Sequence, residues 1–373
     1  METKFIRTIT LMLTAATICV SLLACGGVRR GDIVRDTGAV PSQIPSHIYG
    51  ILALAAYAPS GHNTQPWSVT ITGNDSFDVG ADRSRRLPGV DPTNRELMIS
   101  MGAFLEAVAR AAELRGYEAR ITVTAKSPDD ESVATVKLTK TTTTPAFTEE
   151  NLLARRIVRK DHCAKEISAD DLTFLTQDLG GMCAFHPASS ATGKMIAALT
   201  VEANRVQAYR DDAQAELARW IRFRDDDARK HRDGLTVAGM EISGISAFAV
   251  RHFFDADSVM ENSFRERSVD MVKEQVSSYG GWLLITSKTS SAADLIDTGR
   301  RFFRMSLRTR HRMIVIHPMT QILEESRIKD EFVKSSGIKD EPQFILRVSY
   351  IESYPDPVSL RRAPEEFTKG VIH

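Results

Sequence analysis

The stretch Ala55–Ile71, AAYAPSGHNTQPWSVTI, constrains the fold more than any other part of the chain. The apolar run before it, Ile48 to Tyr57, reads as a helix, and Pro59 stops it. Trp67–Thr72 reads as a strand, joined through the turn signal Gly73-Asn74-Asp75 to a second strand at Phe77–Gly80. Between helix and strand lie only polar residues, glycine and two prolines, Pro59 to Pro66. Asn and Gln each supply donors and acceptors, Ser adds a rotating hydroxyl, and the prolines stiffen the frame. Such a loop suits recognition of a flat heterocycle edged with carbonyl and N–H groups. It equally suits a well-bonded connection with no ligand. Ser60 and His62 do not read as nucleophile and base, because loop residues two apart rarely align and no third orienting group is identifiable.

The remainder reads as an α/β (α+β) chain. In MISMGAFLEAVARAAELRG, Met101, Leu105, Val108 and Ala112 recur at helical spacing, and Gly116 supplies a stop. Two β-rich runs follow, ARITVTA and VATVKLT. The Thr-rich segment 139–147 is a compositional seam, after which EENLLARRIVRKDHCAKEISADDLTFLTQ resumes helical character. A long charged helix is expected around 195–230, then a Gly-punctuated stretch whose span 234–254 could form a lid. The strand GWLLITS (281–287), a helix carrying GRRFFRMSLRTRH and the strand QFILRVSY (343–350) complete the body, with a Pro-rich tail wrapping the surface. A faint internal echo links Gly102 and Gly299, each opening a helix that is followed by a strand.

Lys+Arg and Asp+Glu are both 48, so the balanced charge gives no reason to expect a nucleic-acid partner. There is no G-x-G-x-x-G, Walker loop, H-E-x-x-H or G-x-S-x-G, and no spacing suits a metal such as zinc. Residues 1–24 have the layout of a secretory signal: basic Lys4 and Arg7, an apolar run Ile9–Leu23, then Ala24-Cys25-Gly26. Leu22-Leu23-Ala24-Cys25 resembles the bacterial lipobox, which implies cleavage before Cys25, lipid on its sulfur, and an exported protein anchored to the cell envelope. Gly26 after the cysteine leans towards the outer membrane. Residues 25–45 read as a tether. Cys19 would leave with the signal, and an oxidising compartment permits a bridge between Cys163 and Cys183.

The segment AAYAPSGHNTQPW resembles the A-x-x-A-P-S-x-x-N-x-Q-P-W stretch of the nitroreductase-like FMN oxidoreductases. A second hallmark of that family, a helix with an Arg-Arg-Ser-x-Arg phosphate site, resembles ARRIVRKDHCAKEISADDL (154–172). Here that segment follows the polar loop by about a hundred residues, whereas in the family it precedes it. The inversion, with one copy of each motif on either side of the seam, is similar to the Acg-type branch. It implies a fused pseudo-dimer: a first half at 46–140, and a second at 148–373 ending in the wrapping tail. DPTNRELMISMGA, HPMTQILE and PQFILRVSYIESYPDPVSLRRAPEEF also resemble that branch.

The resemblance implies one FMN, with Ser60, Asn63 and Gln65 at the ring edge or ribityl chain. Arg155 and Arg159 would hold the phosphate with Arg361 or Arg362, and Pro318 and Met319 would lie beside the reactive ring nitrogen. Arg95 would meet either a flavin carbonyl or a neighbouring carboxylate. Ile157 replaces the serine of the phosphate motif. A small-molecule electron donor and acceptor are implied, with flavin-based chemistry and no catalytic side chain. The alternative is a lipoprotein that binds or sequesters flavin without catalysis. A monomer would suffice for one site, without forbidding weak association.

Overall fold

The computed structural model describes residues 27–33 and 44–369. The signal and Cys25 lie outside the described residues. Eleven strands are described, and nine of them form two sheets. In the first sheet, Trp67–Gly73 (β1), Ser76–Ala81 (β2), Tyr117–Val123 (β3) and Ser132–Lys140 (β4) run in the order β1-β2-β4-β3, every neighbour antiparallel. Cys183–Pro187 (β5) is the first strand of the second sheet, and Ile221–Arg222 (β6) and Leu235–Thr236 (β7) form a separate short parallel pair. Gly281–Ser287 (β8), Ile314–Pro318 (β9) and Glu341–Tyr350 (β10) complete the second sheet in the order β5-β8-β10-β9. The tail ends in Thr368–Lys369 (β11), which pairs parallel with β1 and so returns the second half of the chain to the first sheet.

The two halves meet through the Arg95–Leu114 and Ala292–Arg308 helices. Gly102 sits so close to the facing helix that an added Cβ would lie 2.1 Å from the carbonyl oxygen of Ile296. Reciprocally, a Cβ on Gly299 would lie 2.0 Å from the carbonyl oxygen of Ile99. The sequence offset that carries Gly102 to Gly299 also carries Ile99 to Ile296, and Tyr117 at the start of β3 to Ile314 at the start of β9. The internal echo is thus a symmetric helix crossing: small residues let two backbones touch, and the contact is read identically from either side. Beside it, the fully buried Glu106 is gripped by Arg110, Arg300 and Arg304, the last two from the opposite helix. Arg308 pairs with Asp178. The arginine-rich helix therefore matches its cations to specific carboxylates as well as lying over apolar surface.

Two helical expectations are corrected. The run 195–230 is not one helix: it breaks into Ala191–Ala208, Asp211–Trp220 and Asp225–His231. Arg210 is extended at the first break, where its guanidinium reaches the carbonyl of Gly89 and the carboxylate of Glu325. The ARRIVR segment is not a helix, because the preceding helix ends at Ala154. β-branched Val158 instead donates its N–H to the carbonyl of Ile316 and packs with Val315 and Ile351. Of the two possibilities left open for Cys163 and Cys183, the structure has free thiols. Part of the expected tether is also packed: Val28 is buried, and Arg30 holds the carbonyls of Leu153 and Ser359 while lying 4.4 Å over the Tyr57 ring.

Candidate functional site

The polar loop is strained and thoroughly pinned. His62, Asn63 and Gln65 all have left-handed backbone, at φ 47°, 54° and 51°. Three non-glycine residues in that region within one loop need surroundings that over-determine them. The surroundings do so. Asn63 donates to the carbonyls of Gly234 and Leu360 and accepts from Arg361 at 2.8 Å. Gln65, fully buried, donates to the carbonyl of Arg232 and accepts from the backbone N–H of Arg362. The Arg362 guanidinium donates to the carbonyls of Gln65 and Trp67. Asn63, Gln65, Arg361 and Arg362 therefore lock the loop to the tail and to the Arg232–Gly234 turn, and none of them faces the cavity described next.

What the loop offers outward is Pro59, Ser60, Gly61 and His62, which form one wall of a cavity of about 330 Å³. This is at the small end of small-molecule sites, ~300–1,000 Å³. Both halves contribute. Glu96 and Ser100 come from the first helix of the central pair, Ile157 and Arg159 from the segment after the seam, and His317, Pro318 and Thr320 from the end of β9. Ile99, Ile157, Phe302 and Phe344 supply flat apolar surface. Of the residues expected at a cofactor, Ser60, Arg159 and Pro318 thus line one space. Arg95 lies behind it, bonded to Glu96 and to the carbonyl of Gln343. Met319 is buried in the core, its N–H on the carbonyl of Ile345. Arg155 is also off the cavity wall, donating to the carbonyl of Tyr57, and burial beside Arg30 lowers its pKa to about 10.

Arg159 is the cation of the cavity. Its side chain forms no ion pair among the described residues: Glu241, the nearby carboxylate, takes its backbone N–H and pairs with Arg156 instead. Its guanidinium meets Nε2 of His317 at 2.9 Å, while Nδ1 of the same ring faces Arg347 at 3.3 Å. Burial and the flanking arginines hold His317 neutral, well below the usual histidine range. A neutral imidazole accepts at one nitrogen only, so it cannot satisfy both guanidinium groups. Behind the wall, Arg155 has a buried Nε and Nη1 with no hydrogen-bond partner among the described residues. Buried guanidinium left without an anion is costly. This side of the cavity is therefore deficient in negative charge.

The opposite side holds acid. Thr320 Oγ1 lies 3.2 Å from Glu96 Oε1 and 3.0 Å from Glu324 Oε1. One hydroxyl carries one proton, so it can serve only one of the two carboxylates fully, and a proton on the other carboxyl would complete the second contact. Burial, then repulsion from Glu324, pushes the Glu96 pKa up to about 7, and burial raises Glu324 as well. A carboxyl held above its ordinary 4.5 favours folding while protonated, so its contribution is complete below about 4.5 and is lost as the pH rises to about 7. Stability is expected to fall by about 3 kcal/mol across that window, and Glu96→Gln to flatten the fall. Urea midpoints measured at pH 4.5, 6 and 7.5 check this; parallel curves for the two proteins would exclude it.

Three further polar atoms in the wall have no hydrogen-bond partner among the described residues: Asn204 Nδ2, Gln214 Nε2 and Gln321 Oε1. Asn204 and Gln214 are more than nine-tenths buried. Together with Glu96, Glu324 and His317, these residues were not singled out from sequence. His317, Thr320, Gln321 and Glu324 lie within the quoted HPMTQILE segment and Glu96 within DPTNRELMISMGA; Asn204 and Gln214 carry no local signal. The donors and acceptors, flat apolar walls and one uncompensated cation fit a planar, hydrogen-bonding, anionic ligand, and FMN is such a molecule.

No family model matches the chain. Over 65 residues it is 38% identical to PigM of Serratia sp. (strain ATCC 39006), provisionally named an NAD(P)H nitroreductase. Over 71 residues it is 35% identical to Rv3131 of Mycobacterium tuberculosis (strain ATCC 25618 / H37Rv), also provisionally named an NAD(P)H nitroreductase. Over 87 residues it is 34% identical to Rv3127 of the same strain, which is uncharacterised. These stretches cover 17%, 19% and 22% of this chain and 18%, 20% and 25% of the relatives, so the chain matches about a fifth of their length. A solved structure from Anabaena variabilis, provisionally titled a nitroreductase, aligns over 82% of this chain and 88% of its own. Its TM-score is 0.33 at 8% identity.

Proposed function

We propose that the chain is an FMN-dependent oxidoreductase of nitroreductase type, with one FMN per chain, held to the bacterial envelope by lipid on Cys25. The observation that carries the reading is Arg159, half-buried and without an ion pair among the described residues, in a cavity shared by the Pro59–His62 loop and His317–Pro318. The partial likeness to named nitroreductases supports the reaction class.

Arg159 would take the phosphate, since a guanidinium bonds phosphate oxygens bidentately. Ser60, Asn204, Gln214 and Gln321 would answer the polar edges, while Ile99, Phe302 and Phe344 exclude water from the ring plane. FMN, when bound, supplies two-electron transfer from a reduced donor to an electron-poor acceptor. The protein's own part is position, dryness and a proton. An acceptor that has gained hydride needs a proton to become neutral. Glu96 and Glu324, facing each other across Thr320 Oγ1 and with pKa values raised by burial, would supply it.

Anaerobic mixing of flavin-loaded protein with NADH, NADPH or dithionite tests the reaction, followed by a nitroaromatic acceptor. Bleaching by a donor and return of colour with the acceptor, repeated over many cycles, is the expected result. Flavin that stays oxidised with every donor would instead favour the sequestering role.

A further inference from the structure

The Gly244–Phe253 helix presents an apolar face to solvent. Among the described residues, five large apolar side chains are exposed, and Ile245, Phe248 and Phe253 of this helix are three of them. Ile245 and Phe253 are each 73% exposed. Their spacing puts Ile245, Phe248, Ala249 and His252 in one stripe, the Phe248 ring stacked on His252 at 4.2 Å and edge-on to Phe253 at 6.1 Å. The opposite face is held to the body by buried Ala247 and by Arg251, which pairs with Asp225.

The chain's N-terminal segment arrives at the same place. The other oxygen of Asp225 accepts the backbone N–H of Val28 at 3.2 Å. A Cβ on Gly27 would lie 3.5 Å from Val237 Cβ. Val28 is buried with Ala228 and Leu360, and the backbone N–H of Arg30 bonds the carbonyl of Val358. Cys25 is three residues before Val28, and three residues span at most about 10 Å. One carboxylate thus ties the exposed helix to the point from which a lipid on Cys25 would emerge, with almost no slack between.

We propose that the Gly244–Phe253 helix is a membrane-contact surface: its Ile245–Phe248–Phe253 face lies in the interface of the bilayer that holds the Cys25 lipid. The proposal rests on the anchoring reading. The occupant is a phospholipid surface because the anchor brings that surface, and no other partner, within reach of this face. The helix is amphipathic and ten residues long, suited to lying on a membrane and too short to cross one. Lipid supplies the attachment, and the helix sets which face of the body points down.

The test uses the full chain carrying Phe253→Trp, produced with its signal and reconstituted into phosphatidylethanolamine–phosphatidylglycerol vesicles with or without brominated acyl chains. The native Trp67, Trp220 and Trp282 are buried, so added quenching reports position 253. The expected result is blue-shifted emission with at least about half of the added signal quenched by bromine. Adding Ile245→Asp and Phe248→Asp should remove most of the quenching, while the mass of the N-terminal peptide still includes lipid. A lipid-bearing peptide with water-like, unquenched emission overturns the proposal and leaves the anchor standing. A blue shift that depends on protein concentration without quenching assigns the face to a second copy and also overturns it. An N-terminal peptide without lipid removes the anchor, and the proposal with it.

Discussion

Replacing Gly102 with alanine is expected to unfold the chain or leave it insoluble. Alanine in place of a helical glycine ordinarily stabilises by about 1 kcal/mol, because the unfolded chain loses freedom. Here the added methyl would sit 2.1 Å from the Ile296 carbonyl oxygen and under 3 Å from its carbonyl carbon and Cα. These are backbone atoms of a packed helix, so no side chain can turn aside; the helices must separate. Separation would uncover Phe104 and Phe303 and loosen the arginine cluster around buried Glu106. A loss of at least about 3 kcal/mol follows, at the upper end of overpacking effects. Gly299→Ala should do the same through Ile99, as the symmetry of the crossing requires. Gly50→Ala is the control, because its methyl would meet only the Arg115 guanidinium at 3.6 Å. Urea denaturation should place Gly50→Ala at or above the parent midpoint and both crossing variants far below it. Equal midpoints for all three would contradict the reciprocal crossing.

Arg159→Leu is expected to abolish retention of FMN while leaving the fold intact. Leucine occupies a similar path along the cavity wall, and the parent guanidinium makes no ion pair whose loss would strand a buried carboxylate. Losing a charge-assisted pair of bonds to a phosphate should weaken FMN at least about 100-fold, roughly 3 kcal/mol. Riboflavin, which has the same ring and no phosphate, should change by less than about threefold. Comparing the two ligands by fluorescence titration separates a phosphate contact from general damage to the cavity. Equal losses for FMN and riboflavin would show that Arg159 shapes the cavity without meeting phosphate.

Much of the architecture was readable because it rests on local patterns. The alternation in Trp67–Gly73 and Ser132–Lys140 marks strands buried on one face, and the apolar run Gly281–Ser287 marks a strand buried on both. The helix break at Arg210 was not readable, since its cause is the carbonyl of Gly89, over a hundred residues earlier. The composition of ARRIVR and its family resemblance both point to a helix, but Val158 has a core position to fill beside β9, and packing outweighs propensity.

The polar loop shows the same division. Its hydrogen-bonding capacity was evident, but the partners of Asn63 and Gln65 are a tail about three hundred residues away. Sequence placed these two at a ligand, whereas the structure uses them to hold the strained backbone that presents Ser60 and His62. The Glu96–Glu324 pair, Asn204 and Gln214 come from four separate helices, and nothing local marks a carboxylate as destined to face another across one threonine hydroxyl.

The central claim is that this cavity holds FMN. The most direct test is an absorbance spectrum of the full chain, purified with added FMN and then desalted. A retained flavin band close to one FMN per chain, lost in Arg159→Leu, is the expected result. A colourless protein, folded by circular dichroism, would contradict it and leave Arg159 awaiting a different anion.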